Sequence, residues 1–173
     1  MSAGVSFVVV PSRTVEERRP GEPPEAFVRR LAGAKARDVA GSGPPDALVL
    51  GADTDVVLDG EILGKPRDDD DARAMLERLS GRTHEVLTGY EVYDAARGRG
   101  DGGVVRTRVE FAALRPAEIE AYVASGEPRG KAGGYAIQGR AAGMIRRIEG
   151  SYTNVVGLPL CEVLEALARM GAR

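Results

Sequence analysis

The chain has 173 residues, of which 43% are hydrophobic and 29% are charged, and its formal net charge is −2. This composition predicts a single globular domain with a sizeable core, and the near balance of 24 basic and 26 acidic residues argues against a dedicated nucleic-acid binder. No apolar run has the length of a membrane span and no signal peptide is visible, so we expect a soluble cytoplasmic protein without membrane contacts.

The N-terminal segment predicts a strand followed by a loop. Val5–Val10 is apolar and rich in β-branched residues, which favours a strand that ends at Pro11. Ser12–Pro24 is polar and marked by prolines, so it predicts a surface loop, and this loop carries Glu16.

Glu25–Ala40 has the apolar spacing of a helix, with Phe27 and Leu31 on one face. Lys35 follows Leu31 by four residues and therefore lies at the edge of the buried face. A lysine in that position can bury its aliphatic stem and present its ammonium group to a cleft. A solvated lysine on the helix surface is the alternative.

The stretch Leu48–Arg67 holds the first chemical signal. Leu48–Leu50 predicts a buried strand, with Asp53 just beyond it, at the strand end where open α/β sheets bind ligands. Asp59-Gly60 is a strong hairpin signal and would return Lys65 to the level of Asp53. A carboxylate beside a lysine suits a phosphate site, since one holds a cation and the other faces the anion. A turn aspartate and a surface lysine are the alternative.

The acidic run Asp68–Asp71 looks like a metal site, but an apolar helical pattern follows it. We therefore predict that these acids cap a helix that ends at Ser80-Gly81. Further strands are predicted at Arg82–Tyr93, Val104–Phe111, Tyr135–Ile137, Met144–Ile148 and Tyr152–Val156, and further helices at Arg115–Ala124 and after Pro159. Because hairpins alternate with helical crossovers, the prediction is an α/β fold with a mixed sheet.

Gly126–Gly143 is the second informative stretch. It lacks the lysine–serine or lysine–threonine pair of a phosphate-binding P-loop. Lys131 lies in glycine-rich backbone that can approach a ligand, and the Gln138 amide can both donate and accept hydrogen bonds to a base. A glycine-rich connection without a ligand is the alternative. The lone cysteine, Cys161, follows in an apolar stretch and is predicted to be a buried structural thiol.

Five of these stretches, in this order along the chain, resemble motifs of the Maf family of nucleoside triphosphate pyrophosphatases. The resemblance extends from about Gly4 to the C-terminus. The threonine after the aspartate, the K-P-R-D form and the R-T-H element look like the branch that hydrolyses dTTP and UTP. The motifs are Leu50-Gly51-Ala52-Asp53-Thr54, Leu63-Gly64-Lys65-Pro66-Arg67, Leu79-Ser80-Gly81-Arg82-Thr83-His84, Lys131-Ala132-Gly133-Gly134-Tyr135-Ala136-Ile137-Gln138-Gly139 and Val156-Gly157-Leu158-Pro159.

The resemblance implies a role for each matching residue. Asp53 matches the catalytic proton acceptor, while Thr54 and Gln138 match positions tied to base selection. The charged residues that match positions around the phosphates are Glu16, Lys35, Lys65 and Lys131. The implied fold is a mixed α/β structure with an extended central sheet, flanking helices and two lobes around a cleft, similar to inosine triphosphate pyrophosphatases and usually dimeric.

The implied reaction converts dTTP or UTP, with modified pyrimidine nucleotides as further candidates, to the monophosphate and pyrophosphate. A divalent cation, Mg²⁺ or Mn²⁺, would be held by Asp53, with Glu16 as a further ligand, and would neutralise the triphosphate. The alternative is a non-catalytic regulator of septum formation in cell division.

The family carries a strand, an S-x-S-P-R-R loop and a helix before the segment that matches Gly4–Val10, and this sequence does not contain them. The resemblance therefore implies one Maf-like domain over residues 1–173, truncated at its N-terminus. A start codon assigned too far downstream and a true truncation are the two explanations. Without the phosphate-binding loop we expect low activity or poor expression of the chain as written.

Overall fold

The computed structural model describes residues 4–172, and its centre is a five-stranded sheet in the order β2–β1–β3–β4–β5. The strands are β1 (Leu48–Leu58), β2 (Glu61–Ile62), β3 (Thr83–Asp94), β4 (Arg99–Phe111) and β5 (Ile145–Glu149). The helices are α1 (Pro24–Ala40), α2 (Asp69–Leu79), α3 (Pro116–Ala124), α4 (Tyr152–Val156) and α5 (Leu160–Arg169). Two 3₁₀ turns, Ala132–Gly134 and Arg140–Met144, precede β5.

The predicted α/β fold with an extended central sheet and flanking helices is confirmed. All four strand pairings are antiparallel, so within residues 4–172 the sheet is not mixed as predicted. The reason is that two hairpins reverse the chain, and α2 returns it so that β3 runs opposite to β1. The longest pairings join β1 to β3 and β3 to β4. The β1–β3 pairing runs from Leu48↔Asp94 to Val57↔Glu85.

Helices cover both faces of this sheet. On one face α1 packs Phe27, Val28 and Leu31 against Val57 and Leu87 of the central strands. The opposite face carries α2, α3 and α5, whose buried side chains include Leu76, Leu79, Tyr122, Val123, Val163 and Ala166. Because neighbouring residues of a strand face opposite sides, each residue of β1 is assigned to one of these two layers.

The acidic run before α2 caps that helix as predicted. The Asp68 side chain accepts a hydrogen bond of 2.8 Å from the backbone N–H of Asp71, and the helix ends at Ser80. An N-terminal carboxylate also complements the helix dipole. These acids therefore stabilise a helix end, and the metal alternative is not needed to explain them.

The predicted strand at Val5–Val10 is wrong. This segment joins no sheet and its apolar side chains are exposed, with Phe7 at 79% and Val8 at 86% of full exposure. The chain after it is held at Arg13, whose backbone N–H donates to Asp38 Oδ2 at 2.7 Å. A β-branched run forms a strand only where a partner strand supplies hydrogen bonds, and no described strand pairs with this segment.

Two later strand predictions are also wrong. Tyr135–Ile137 is irregular backbone between the 3₁₀ turns, and Tyr152–Val156 forms α4. The Ser151 hydroxyl accepts from the backbone N–H of Asn154 at 3.2 Å, and Gly157 ends the helix in the left-handed conformation with φ 118°. This pair of caps overrides the β propensity of the residues between them.

Cys161 is exposed, so the prediction of a buried thiol is wrong as well. The residue lies on α5, where helical periodicity turns Val163 and Ala166 inward and leaves Cys161 on the solvent side. None of the helices in residues 4–172 is long and apolar enough to cross a membrane.

Candidate active site

The site begins with the close approach of α1 to the sheet. A Cβ atom on Gly51 would lie 2.2 Å from the Ala32 carbonyl oxygen, and one on Gly89 would lie 2.2 Å from the Val28 carbonyl oxygen. Gly89 is also the residue of β3 directly opposite Asp53 of β1. The absence of both side chains therefore lets the helix backbone lie against the strands beside Asp53.

Lys35 of α1 connects the charged residues of the cleft. Its Nζ lies 2.6 Å from Asp53 Oδ1 and 2.5 Å from Glu16 Oε1. Lys65, at the end of the hairpin return, places its Nζ 3.2 Å from Glu16 Oε2. We call these four residues the cleft cluster. Lys35 therefore pairs with Asp53 as well as Glu16, and Lys65 joins the same group of charges through Glu16.

The position of Asp53 differs from the predicted one in one respect. Asp53 lies in the middle of β1 and not at the end of a strand, because Gly51–Thr54 continue the hydrogen-bonded ladder with β3. Its side chain faces α1 and is 9% exposed. Asp53 therefore meets Lys35 on the side of β1 that α1 covers and not at the end of the sheet.

Burial and ion pairing have opposite effects on the pKa values of the cleft cluster. Burial raises the pKa of Asp53, and the hydrogen bond from Lys35 lowers it by less, so the net shift is upward. Burial lowers the pKa of Lys35, but the hydrogen bonds to Asp53 and Glu16 and the charges of these two carboxylates together outweigh it and raise that pKa. The hydrogen bond from Lys35 is the main cause that lowers the pKa of Glu16. The lysine is therefore held in its charged form.

A second carboxylate, Asp55, lies beside Asp53 on the same side of β1 and was not among the sequence-predicted site residues. The residue is 8% exposed, and its carboxylate makes no hydrogen bond or ion pair with any of residues 4–172. Burial raises its pKa to about 7, and the charge of Asp53 adds to the shift. The spacing of two acids two residues apart in a strand was the signal that could have identified it.

Thr54 faces the opposite side of the sheet from Asp53. Its Oγ1 lies 2.8 Å from Thr88 Oγ1 and donates to the Gly157 carbonyl oxygen at 3.2 Å. Thr88 is fully buried and lies directly opposite Thr54 in the strand register. The structure therefore does not bring the Thr54 hydroxyl together with the cleft cluster.

The glycine-rich segment is anchored in its middle and leaves both ends exposed. The Gly133 backbone N–H donates to the Gly64 carbonyl oxygen at 2.7 Å, directly before Lys65. Gly133 has φ 67° and lies against Val56, so a side chain there would be strained and would clash. The side chains of Lys131 and Gln138 are exposed and form no hydrogen bond within the described part of the chain. Their polar groups are therefore free to meet a ligand.

No group of three or more histidine, cysteine, aspartate or glutamate side chains in residues 4–172 is arranged to hold a metal ion. The cleft holds three carboxylates, those of Glu16, Asp53 and Asp55, against the two lysines Lys35 and Lys65. Mg²⁺ is commonly bound by one or two carboxylates, with phosphate oxygens and water as the other ligands. A divalent cation that arrives with a polyphosphate fits this donor set.

Comparison with known proteins assigns this chain to a family. The family model described as Maf-like protein matches residues 1–170. A relative from Geotalea uraniireducens named dTTP/UTP pyrophosphatase is 57% identical over 99% of this chain and 88% of its own length. A relative of the same name from Geobacter sulfurreducens is 57% identical over 99% of this chain and 89% of its own length. One from an Anaeromyxobacter strain is 55% identical over 97% of this chain and 81% of its own length. Because the family model spans nearly the whole chain, the chain belongs to the Maf family.

Proposed function

We propose that this protein is a nucleoside triphosphate pyrophosphatase that hydrolyses dTTP and UTP, and modified pyrimidine nucleotides of similar shape, to the monophosphate and pyrophosphate. The observation that carries the proposal is the bridge from Lys35 to Asp53 and Glu16 in a cleft lined by a second lysine. Relatives named for this activity, which match 97–99% of the chain, support it.

In the proposed reaction Asp53 orients a water molecule and takes its proton while the water oxygen attacks the α-phosphorus in line. The bond from the α-phosphorus to its bridging oxygen breaks, and pyrophosphate leaves with the electron pair. Lys35, Lys65 and Lys131 stabilise the charge that grows on the leaving group. Since phosphoryl transfer depends mostly on positioning and charge, the fixed contact between Lys35 and Asp53 suits this role.

The donor set also suits a divalent cation, Mg²⁺ or Mn²⁺, with Asp53 as a ligand and Glu16 as a further candidate. When bound, such an ion neutralises phosphate charge and acidifies a coordinated water. Both Glu16 oxygens contact lysines in this structure, so Glu16 would have to exchange one of those contacts to bind the ion.

Base choice is proposed to rest on Gln138, whose exposed amide can pair with a pyrimidine edge. Thr54, the other residue that the family resemblance implies, bonds to Thr88 and Gly157 on the opposite side of the sheet and is not proposed to contact the base. The resemblance also supports a single Maf-like domain that works as a homodimer in the cytoplasm. Light scattering coupled to size-exclusion chromatography tests the dimer directly.

The proposal is tested by determining which product takes up an oxygen atom from water. UTP and dTTP are hydrolysed in ¹⁸O-labelled water with Mg²⁺ or Mn²⁺, and products are separated by ion-pair chromatography and mass spectrometry. We expect one label in the monophosphate and none in pyrophosphate. Asp53→Asn should lower kcat/KM by about 10²-fold or more, while the matched variant Asp59→Asn on the hairpin tip should not. Formation of a diphosphate and labelled phosphate would contradict the proposal.

A further inference from the structure

We propose that Asp55 is a second carboxylate ligand, beside Asp53, for the divalent cation that accompanies the triphosphate. The inference rests on the proposed function and adds a residue to its site. It is carried by the position of Asp55 on β1, by its burial and by its lack of any protein partner.

The strand geometry places the two carboxylates together. Asp53, Asp55 and Val57 alternate along β1, and Val57 packs against α1 in the core cluster with Phe27 and Val28. This row of side chains therefore faces α1 and the cleft cluster. The charges of Asp53, Lys65, Glu16 and Lys35 all act on the Asp55 carboxylate, so it lies within electrostatic reach of the cleft cluster.

Asp55 differs from the other buried acids in having no partner. Asp53 pairs with Lys35, Glu91 with Arg29 and Arg37, and Asp94 with Arg97. Asp55 is 8% exposed, and none of residues 4–172 gives its carboxylate a hydrogen bond or an ion pair. Burying a carboxylate without a partner costs free energy, so we expect a ligand or an ion to bind this group.

The other charged residues of the cleft indicate which kind of ligand binds Asp55. Both oxygens of Glu16 already contact lysines, whereas Asp55 is free to accept a cation. Residues 4–172 hold no group of three histidine, cysteine, aspartate or glutamate side chains that could bind a metal ion, so we take the protein to supply two carboxylates. Two carboxylates plus phosphate oxygens and water are a usual ligand set for Mg²⁺. We therefore expect weak binding of the ion alone and stronger binding with nucleotide.

The test measures Mn²⁺ binding directly. Electron paramagnetic resonance of free Mn²⁺ gives its Kd on the full-length chain with the α,β-methylene analogue of dTTP, which is not hydrolysed. We expect Asp55→Asn and Asp55→Val each to raise the Kd for Mn²⁺ by roughly tenfold or more. The control Asp59→Asn, which removes an exposed carboxylate on the same hairpin, should leave the Kd within twofold. An unchanged Kd in both Asp55 variants would overturn the proposal.

Thermal unfolding gives a second readout, because Asp55→Val should change the Tm of the metal-free protein and the metal-induced rise in Tm in different directions. Without metal, Asp55→Val should melt at the same or a higher temperature than the wild type, because it removes an unpaired buried carboxylate. The rise in Tm on adding Mn²⁺ and the analogue should shrink in the same variant. Loss of folding in both Asp55 variants would show that Asp55 supports the fold, which also overturns the proposal.

The two proposals fail separately. If the wild type forms monophosphate and pyrophosphate but Mn²⁺ affinity does not depend on Asp55, only the assignment of Asp55 is wrong. If Mn²⁺ affinity depends on Asp55 but these products do not form, the carboxylate pair stands and the reaction is wrong.

Discussion

Lys35 holds two carboxylates of the cleft at once, and it can do so because its stem lies along the buried face of α1. The exposed fraction of its side chain is 21%, against 57% for Lys65. Asp53 is nearly buried and has Lys35 as its ion-pair partner, whereas Glu16 also contacts Lys65. The two lysines therefore differ in how much the folded state depends on them.

We predict that Lys35→Met lowers both activity and stability, while Lys65→Met lowers activity alone. Loss of Lys35 leaves a buried carboxylate unpaired and should reduce the free energy of unfolding by about 1–3 kcal/mol. Loss of Lys65 removes an exposed pair and should change it by less than about 1 kcal/mol. Both should reduce kcat/KM by about 10²-fold. Urea denaturation and pyrophosphate release are the measurements, and equal destabilisation by both variants would contradict the prediction.

Thr54 and Gln138 were both predicted to select the base, but their surroundings differ. The Thr54 hydroxyl is bonded to Thr88 and to the Gly157 carbonyl, whereas the Gln138 amide is exposed. We predict that Thr54→Val lowers the free energy of unfolding by about 1 kcal/mol and preserves the ratio of kcat/KM for UTP over CTP and GTP. Gln138→Ala should leave stability unchanged and reduce that ratio. The reverse pattern would assign the base contact to Thr54.

At the scale of elements, the site depends on how closely α1 lies on the central strands. The helix contacts the sheet through Gly51 and Gly89, where a Cβ would overlap backbone oxygens. Lys35 is carried by this helix and Asp53 by the strand below it. The distance of 2.6 Å between their charged atoms is therefore set by backbone packing.

We predict that Gly89→Ala separates α1 from the sheet. Overpacking should lower the free energy of unfolding by about 1–3 kcal/mol, and a shift of Lys35 by about 1 Å should reduce kcat/KM by about 10²-fold. The control is Gly143→Ala, since Gly143 has open space around it and no positive φ. Thermal denaturation and the hydrolysis assay check both effects. A Gly89→Ala variant with wild-type activity would show that the helix contact does not position Lys35.

At the scale of the whole molecule, the buried side chain of His84 contacts residues from separate parts of the chain. His84 of β3 packs edge-on against Phe111 of β4 and Tyr135 of the glycine-rich segment. Its Nε2 lies 2.7 Å from the Tyr135 hydroxyl, and its Nδ1 is buried without a hydrogen-bond partner among the described residues. A proton on this ring would therefore add an unpaired charge to the core.

Burial lowers the pKa of His84 from 6.5 to about 4. Between these values the unfolded chain binds the proton and the folded chain does not, so this group's contribution to stability falls as the pH falls from about 6.5 to about 4. The loss should reach about 3 kcal/mol. We predict that the difference in free energy of unfolding between wild type and His84→Gln narrows by this amount over that range. Urea denaturation at a series of pH values measures it, and a constant difference would contradict the prediction.

Local patterns in the sequence determined much of the architecture. The periodicity of α1, the Asp59-Gly60 turn, the capping acids before α2 and the β3–β4 hairpin all appear as predicted. Each depends on residues close in the chain, so the interactions that specify it are visible in the sequence. The positions of Lys35 and Lys65 near Asp53 follow from these same elements.

Other features were decided only by the tertiary structure. Val5–Val10 has strand propensity but no partner strand, and Tyr152–Val156 is helical because Ser151 and Gly157 cap it and Asn154 bonds to the Val86 carbonyl. The pairing of a strand and the bond from Asn154 to Val86 involve residues far apart in the chain, and such contacts override local propensity.

For the site, the sequence by itself was enough to predict Asp53, Lys35 and Lys65 as candidate residues and to reveal the family that the chain resembles. The tertiary structure decided which side of β1 each residue faces and what each one meets there. It separates Thr54 from the cleft and shows that Asp55 lies beside Asp53 without a partner. The physical reason is that strand register and helix packing assign each side chain to one layer, and both depend on contacts distant in the sequence.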